Sequence, residues 1–252
     1  MMRRQTEINY EMKLLSSLEK VFQDETPVYR PECLVLSALW DETVSFQAAY
    51  TGDCFMRERL EARVVSELEK WVRVRTVEQV PVGRATNVIV DDNYLKTTPG
   101  MYPDLLRDLP EDHKVIVCSH QWRSLWVDVE VTEEIPAGDY EIEIQLLKEG
   151  EIVCSAKMKL HVVGVTLPKQ EIMHTEWMHA DCLADYYHVE VFSEEHWQIL
   201  ENFFAEYVKR GGNMMLVPLS TSPLDTAVGL ERTTTQLVDV EVKDGQYIFG
   251  FD

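Results

Sequence analysis

Two patterns of apolar and polar positions divide the chain. From Cys33 to Val162, short stretches alternate apolar and polar residues and are separated by turn residues, which is typical of β-strands. Between Ser193 and Gly211, apolar residues instead recur every three or four positions, which is typical of an amphipathic helix. The chain is therefore expected to begin with strands and to continue as a mixed α/β region.

The first region predicts an antiparallel β-sandwich. Its clearest alternating segments are 44–50, 60–64, 72–76, 125–131, 140–146 and 152–162. The turn Lys148-Glu149-Gly150 joins the last two segments into a hairpin. Several strands at short spacing are typical of a sandwich, and we assign residues 1–164 to this domain. Residues 6–22 fit both a strand and a helical stripe, and a strand as far as Leu14 is the interpretation we favour.

Two segments of this region break the strand pattern. The stretch from Asp91 to Asp112 holds three of the ten prolines and shows no sustained period, so it predicts a long loop. Within it, Pro99 to Leu106 is expected to pack the sandwich against a neighbouring domain. Gly164 to Pro168 is the candidate linker between the domains.

The second region reads as a strand, a polar loop, a helix and a second apolar run. Ser193 predicts the helix N-cap and Gly211 the C′ position. The expected buried stripe of this helix consists of Trp197, Leu200, Phe203 or Phe204, and Tyr207 or Val208. Such a unit builds parallel sheets and barrels. We therefore predict that residues 165–252 hold the first β/α units of an incomplete (β/α)8 barrel.

The composition and net charge of the chain limit the classes of molecule that it is expected to bind. Acidic residues outnumber basic ones by 44 to 24, which gives a net charge of -20. Nucleic acids and anionic membranes are bound through Lys and Arg, so neither is expected as a partner, whereas a neutral sugar is compatible. The sequence carries no glycine-rich phosphate loop and no nucleophile elbow, and no cofactor is predicted.

The cysteines and the amino terminus predict a soluble, cytoplasmic protein. The five cysteines are widely spaced without a CxxC motif, and we expect buried free thiols. The two arginines near the start are not followed by an apolar segment, and no apolar run approaches the length of a membrane span.

Four stretches of the chain resemble the glycoside hydrolase family 123 group. They are PGMYPDLL from Pro99, QWRSLWVDVEV from Gln121, HTEWMHADCLADYY from His174 and PLDTAVGLERTTTQLVDV from Pro223. The resemblance runs from about Ile8 to Asp252 in consistent order. It implies a β-sandwich followed by a (β/α)8-type barrel, and the activity of a β-N-acetylgalactosaminidase acting on an N-acetylhexosamine glycoside.

The resemblance also implies a substrate-assisted, retaining mechanism. In this family the 2-acetamido oxygen of the sugar attacks the anomeric carbon, an Asp orients the acetamide, and an adjacent Glu protonates the leaving oxygen. Neighbouring acidic residues occur here at Asp24-Glu25, Asp41-Glu42 and Glu111-Asp112. All three pairs lie in the predicted sandwich, so none matches the family's pair. We therefore assign no catalytic residue and interpret the chain as an N-terminal fragment that is inactive alone.

Substrate-binding candidates follow the two apolar runs of the second region. The first run is followed by His174, Glu176, Trp177 and Asp181, and the second by Asp225, Glu231 and Arg232. Because ligands bind at the carboxyl ends of barrel strands, these residues are candidates for sugar recognition, with the indole of Trp177 under a pyranose ring. The alternative is a structural cluster that closes the barrel mouth, or ion pairs on a surface loop.

Other interpretations stay open. His174, His179, His188 and His196 lie within 23 residues and suggest a metal site, but His174 and His179 are five positions apart and do not converge if extended, so no metal is predicted. A metal-dependent hydrolase remains a weaker alternative. Trp122 and Trp126 are interpreted as core or interface residues rather than a sugar platform.

Two expectations concern binding and assembly. The second functional hypothesis is a non-catalytic module that binds carbohydrate or protein through the sandwich. An incomplete barrel would leave strand edges without partners, so we expect self-association or a companion chain.

Overall fold

A computed structural model describes residues 8–28, 35–86, 93–217 and 239–250 of the chain. The chain divides into two compact units, Met1–Leu167 and Pro168–Asp252. Among the described residues, none of the helices is both long enough and apolar enough to cross a membrane.

The first unit contains two five-stranded sheets. Sheet 1 has the strand order β1-β3-β8-β5-β6, and all of its neighbouring strands are antiparallel. Its strands are β1 (Tyr10–Ser16), β3 (Glu42–Gly52), β5 (Val72–Val82), β6 (Gly100–Asp108) and β8 (Arg123–Val131).

Sheet 2 has the strand order β2-β10-β9-β4-β7. Its strands are β2 (Val35–Trp40), β4 (Arg57–Val65), β7 (Lys114–Cys118), β9 (Gly138–Lys148) and β10 (Glu151–Thr166). The pair β2 and β10 is parallel, and the other neighbours are antiparallel. A 3-10 turn at Glu69–Trp71 precedes β5.

The core of this unit is built by the alternating positions of both sheets. Phe46 and Leu125 of sheet 1 and Leu60, Leu146 and Met158 of sheet 2 are fully buried in one cluster. Burying such a side chain contributes about 1.5–3 kcal/mol, so this cluster dominates the stability of the unit. The predicted hairpin is present, since β9 pairs with β10 and Glu149 and Gly150 adopt positive φ between them.

The loop predicted from Asp91 to Asp112 is wrong where the structure describes it around Pro99 to Leu106. Residues Gly100–Asp108 form β6, the edge strand of sheet 1. Pro103 faces Gln79 beside an irregularity in the pairing with β5. Proline cannot donate a hydrogen bond to a ladder and is confined to edges and bulges, so its presence in the sequence concealed an edge strand.

The second unit contains two small sheets and two helices. Strands β11 (Thr175–Trp177) and β12 (Met214–Leu216) form a parallel pair. Helices α1 (Asp181–Tyr187) and α2 (Glu194–Lys209) lie between them along the chain. Strands β13 (Asp239–Lys243) and β14 (Gln246–Gly250) form an antiparallel hairpin whose turn, Asp244-Gly245, has positive φ.

The predicted fold class, a β-sandwich followed by the first β/α units of a (β/α)8 barrel, is wrong. The described residues are mainly strands, and a (β/α)8 arrangement is not evident among them. In the second unit both helices follow one strand in succession, and the parallel pair is only three residues long on each side. The remaining described strands of that unit form a hairpin, which a parallel barrel does not contain. The barrel interpretation rested on the order of a strand, a polar loop, a helix and a second apolar run, together with the family resemblance, and that order does not determine the sheet around the helix.

Candidate functional site

The candidate site is centred on an imidazole-carboxylate pair at the start of β11. The Nε2 atom of His174 lies 3.0 Å from Oε1 of Glu176. The two side chains are two positions apart on an extended segment, so they share one face. Both are about half exposed, which leaves their remaining polar atoms accessible to a ligand from solvent.

The backbone beneath this pair is fixed by side chains from the end of α2 and the start of β12. The Tyr207 hydroxyl lies 2.8 Å from the His174 carbonyl oxygen and 2.7 Å from that of Met214, so its one hydrogen is shared between the two strands. The Asn213 side chain accepts from the His174 amide at 2.8 Å and donates to the Ile172 carbonyl at 3.0 Å. The backbone that carries the pair of His174 and Glu176 is therefore fixed by both Tyr207 and Asn213.

Two glycines make this arrangement possible. Gly211 has a φ of 91°, which ends α2 as the sequence predicted. At Gly212 a Cβ atom would lie 2.1–2.4 Å from the Tyr207 ring. Only a residue without a side chain lets the backbone pass this close to the phenol, so Gly212 positions Tyr207 against β11 and β12.

Trp177 and Asp181 lie apart from the polar pair. Trp177 is the last residue of β11 and is 71% exposed. Because neighbouring residues of a strand point to opposite faces, its indole is directed away from the face that carries Glu176. Asp181 is the first residue of α1 and is only 2% exposed, so it is not open to solvent like the other candidates.

The histidines of this region have different environments. The buried His196 accepts a hydrogen bond from the Phe192 amide at Nδ1, at 2.9 Å, and its Nε2 lies 2.9 Å from the Ala180 carbonyl oxygen. Both ring nitrogens are therefore occupied by the backbone, and the residue joins α1 to α2. Within the described residues, no three His, Cys, Asp or Glu side chains are grouped as a metal site requires.

The buried stripe predicted for α2 is partly wrong. Leu200 is buried, and Phe204 and Tyr207 are half-buried, but Trp197 is 50% exposed and stacks on Phe192 with ring centroids 5.4 Å apart. His196 takes the neighbouring buried position instead. A hydrophobic pattern does not reveal a polar residue that is buried because both of its ring nitrogens are hydrogen-bonded to the backbone.

Three candidates lie outside the described residues, namely Asp225, Glu231 and Arg232. Sequence reasoning missed Tyr207 as a partner of the His174 backbone and gave no role to Asn213. The Gly-Gly-Asn run after α2 was the available signal, since it allows a close approach and a side-chain hydrogen bond in one turn.

The remaining predictions from single residues have mixed outcomes. Trp122 is buried in a small cluster with Leu15, Val21 and Ala49. Trp126 is half-buried and donates to Asp128. The free cysteine Cys54 is buried, but Cys182 is exposed.

Comparison with known proteins finds a family match for the C-terminal part of the chain. Residues 177–252 match the model of the glycoside hydrolase 123 catalytic domain. No curated protein matches the sequence.

Two solved structures show how far the likeness extends. One is a family 123 glycoside hydrolase from Clostridium perfringens, described for glycolipid glycan hydrolysis, with 13% identity and a TM-score of 0.65. The match covers 96% of this chain and 43% of that chain, so this chain spans less than half of its relative. The other is the N-terminal domain of PorA, with 10% identity, a TM-score of 0.30, and coverage of 62% of this chain and 99% of that chain. The resemblance to family 123 glycoside hydrolases is confirmed, and at 13% identity the structural likeness to the Clostridium perfringens enzyme concerns the fold alone.

Proposed function

We propose that this protein is a glycoside hydrolase-like protein of the family 123 type that binds an N-acetylhexosamine glycoside. The observation that carries the proposal is the match of residues 177–252 to the glycoside hydrolase 123 catalytic domain. That segment begins at the exposed Trp177 and directly follows the pair of His174 and Glu176. Exposed aromatic rings and hydrogen-bonding side chains are the usual components of a site for a neutral sugar, and here they lie on opposite faces of β11.

The proposed roles follow from the surroundings of each side chain. His174 and Glu176 offer a donor and an acceptor to sugar hydroxyls on one face of β11. Trp177 offers an apolar surface to the C–H face of a pyranose ring on the other face. Asp181, being buried, is proposed to support the start of α1 and not to contact the sugar.

The chain alone is proposed to bind the sugar without cleaving it. A substrate-assisted mechanism requires an adjacent Asp-Glu pair, and the sequence from Trp177 to Asp252 contains no such pair. Asp24 and Glu25, one of the acidic pairs elsewhere, are both hydrogen-bonded to Lys96. We also propose a cytoplasmic location, which agrees with the free thiols of Cys54, Cys118 and Cys154.

Calorimetry with N-acetylgalactosamine tests the binding proposal. We expect Trp177→Ala to weaken binding about two- to ten-fold, since a stacked ring contributes about 0.5–1.5 kcal/mol. Glu176→Gln tests the other face of the strand separately. Phe55→Ala is the matched control, because Phe55 is 95% exposed in the first unit. Unchanged affinity in both site variants would refute the proposed site.

A second assay tests the absence of hydrolysis. The purified 252-residue chain is expected to release no nitrophenol from nitrophenyl N-acetyl-β-galactosaminide. Turnover that purifies with the protein would contradict this expectation and would require a different arrangement of catalytic acids.

A further inference from the structure

The first unit contains a cavity, and its lining residues all precede the segment matched to the catalytic domain. Its volume is about 420 Å³, which falls within the range of small-molecule sites. It is lined by residues of β5 and β6, by Lys20 and Phe22, by Ala85, and by residues 93–96. Its lining mixes apolar residues such as Val80, Val82 and Tyr102 with the polar residues Lys20 and Asp104.

One side of the cavity is fixed to sheet 1 by hydrogen bonds from buried or half-buried side chains. The amide of Gln47 donates to the carbonyls of Ser16 at 3.2 Å and Glu19 at 2.7 Å. Gln79 donates to the Val21 carbonyl at 3.1 Å. These bonds hold the residues next to Lys20 and Phe22 against the sheet, so this wall keeps its shape without a ligand.

A lysine joins the two sides of the cavity. The Nζ atom of Lys96 lies 2.9 Å from both carboxylate oxygens of Asp24 and 3.1 Å from Glu25, and it stands 4.9 Å from the centre of the Phe22 ring. These hydrogen bonds raise the pKa of Lys96 and lower that of Asp24, so both stay charged near neutral pH. Phe22 in turn meets the edge of Tyr102 with ring centroids 5.4 Å apart.

Three polar side chains of the lining make no hydrogen bond to the rest of the described protein. Among the residues that the structure describes, none hydrogen-bonds to the side chain of Lys20, Asn93 or Asp104, although all three line the cavity. An ammonium, an amide and a carboxylate provide donors and acceptors together. A simple anion would be repelled by Asp104 and a simple cation by Lys20, whereas a sugar hydroxyl both donates and accepts.

We propose that this cavity is an accessory carbohydrate site of the first unit. The neutral sugar places its C–H groups on Val80, Val82 and Tyr102 and its hydroxyls on Lys20, Asn93 and Asp104. The choice of a sugar rests on the proposed function, but the site is separate from the residues that carry it. Its role is to hold a glycan, with no part in bond cleavage.

Site-resolved NMR titration of the isotope-labelled chain with methyl N-acetyl-β-galactosaminide tests the proposal. We expect amide shifts at residues lining the cavity, with affinity reduced about five-fold by Lys20→Ala or Asp104→Ala, as for the loss of one hydrogen bond. Both residues are exposed, and neither side chain is hydrogen-bonded to another described residue, so these variants are expected to retain the fold. Lys159→Ala and Glu130→Ala are matched controls, because these side chains are exposed and do not line the cavity.

The titration separates this proposal from the proposed function. Shifts confined to residues around Trp177 would overturn the accessory site and leave the proposed function standing. Shifts at the cavity alone would support the accessory site and count against sugar binding at Trp177. Cavity shifts that persist unchanged in both variants would show that Lys20 and Asp104 do not bind the sugar and would overturn the site as described.

Discussion

Gly212 is the residue whose replacement has the most direct consequence for the candidate site. A methyl group there would overlap the Tyr207 ring, and that ring carries the hydroxyl shared by the His174 and Met214 carbonyls. We expect Gly212→Ala to destabilise the β11–β12 pair by about 1–3 kcal/mol, the usual range for overpacking. Native-state hydrogen exchange at the amides of Met178 and Met214 measures this change, because both donate across the pair.

Gly83→Ala is the control for this substitution. Among the described residues, no atom lies within 4 Å of the position its Cβ would take, so protection at Met178 and Met214 should be unchanged. Equal protection in Gly212→Ala and Gly83→Ala would contradict the role assigned to the Tyr207 contact.

At the level of single residues, the sequence indicated which side chains are candidates for the site but not which atoms they bind. The sequence named His174 and Glu176 as candidates for sugar recognition, and their role stays a prediction; their spacing of two residues on an extended segment places the two side chains together. Tyr207 was assigned to a buried stripe by helical period alone. Its actual partners are backbone atoms more than thirty residues away in the case of His174, and a hydrophobic pattern contains no information about such pairing.

Helix α2 shows what a local signal predicts at the level of one element. The Ser193 hydroxyl accepts from the His196 amide at 3.2 Å, and Glu194 and Glu195 lie in the first turn, where the helix dipole favours negative charge. We expect Ser193→Ala to destabilise the amino-terminal turn of α2 by about 1 kcal/mol. Hydrogen exchange along α2 measures this loss.

Ser193→Asp serves as the matched comparison. Aspartate is also a strong N-cap residue, so exchange in this variant should stay close to that of the original protein. If the Asp and Ala variants lose equal protection, the cap hydrogen bond does not stabilise the helix.

Elements were predictable where their signals are local and missed where they depend on distant pairing. The start and end of α2 and the turns at Glu149-Gly150 and Asp244-Gly245 all follow from residues within a few positions. Strand β6 was missed because Pro103 conceals an edge strand, and β2 gave no sign of its parallel partner β10. Helix α1, seven residues long, was too short to show a period.

The whole molecule exposes large apolar side chains in its second unit. Trp177, Tyr186, Trp197 and Phe203 are each close to half exposed or more. Burial of such rings is the main driving force for association. We therefore propose that the chain self-associates, or binds a companion chain, through this unit. Light scattering over a concentration series is expected to show a mass above that of a 252-residue monomer at high concentration.

Substitution of these rings tests which surface is responsible. Trp197→Gln combined with Phe203→Gln should shift the mass toward the monomer, whereas Phe55→Gln in the first unit should not. A monomer at every concentration would contradict the prediction.

At this scale the sequence predicted that strands dominate the first region and that a helix follows, but not how the second unit is arranged. Apolar periods report which face of an element is buried, and they do not report which strands are neighbours. The barrel interpretation failed at this step, because one strand, a helix and a second apolar run also describe a three-residue parallel pair that flanks two helices.

The parallel pairing of β2 with β10 has a consequence for folding during synthesis on the ribosome. Residues 35–40 leave the ribosome long before residues 159–166, with which they pair. At the usual speed of synthesis the gap is on the order of ten seconds. During this interval β2 has no partner strand in sheet 2, and it can join that sheet only after β10 has emerged. The interval before β10 emerges is therefore the one in which we expect nascent chains of this protein to be most exposed to aggregation and most dependent on chaperones.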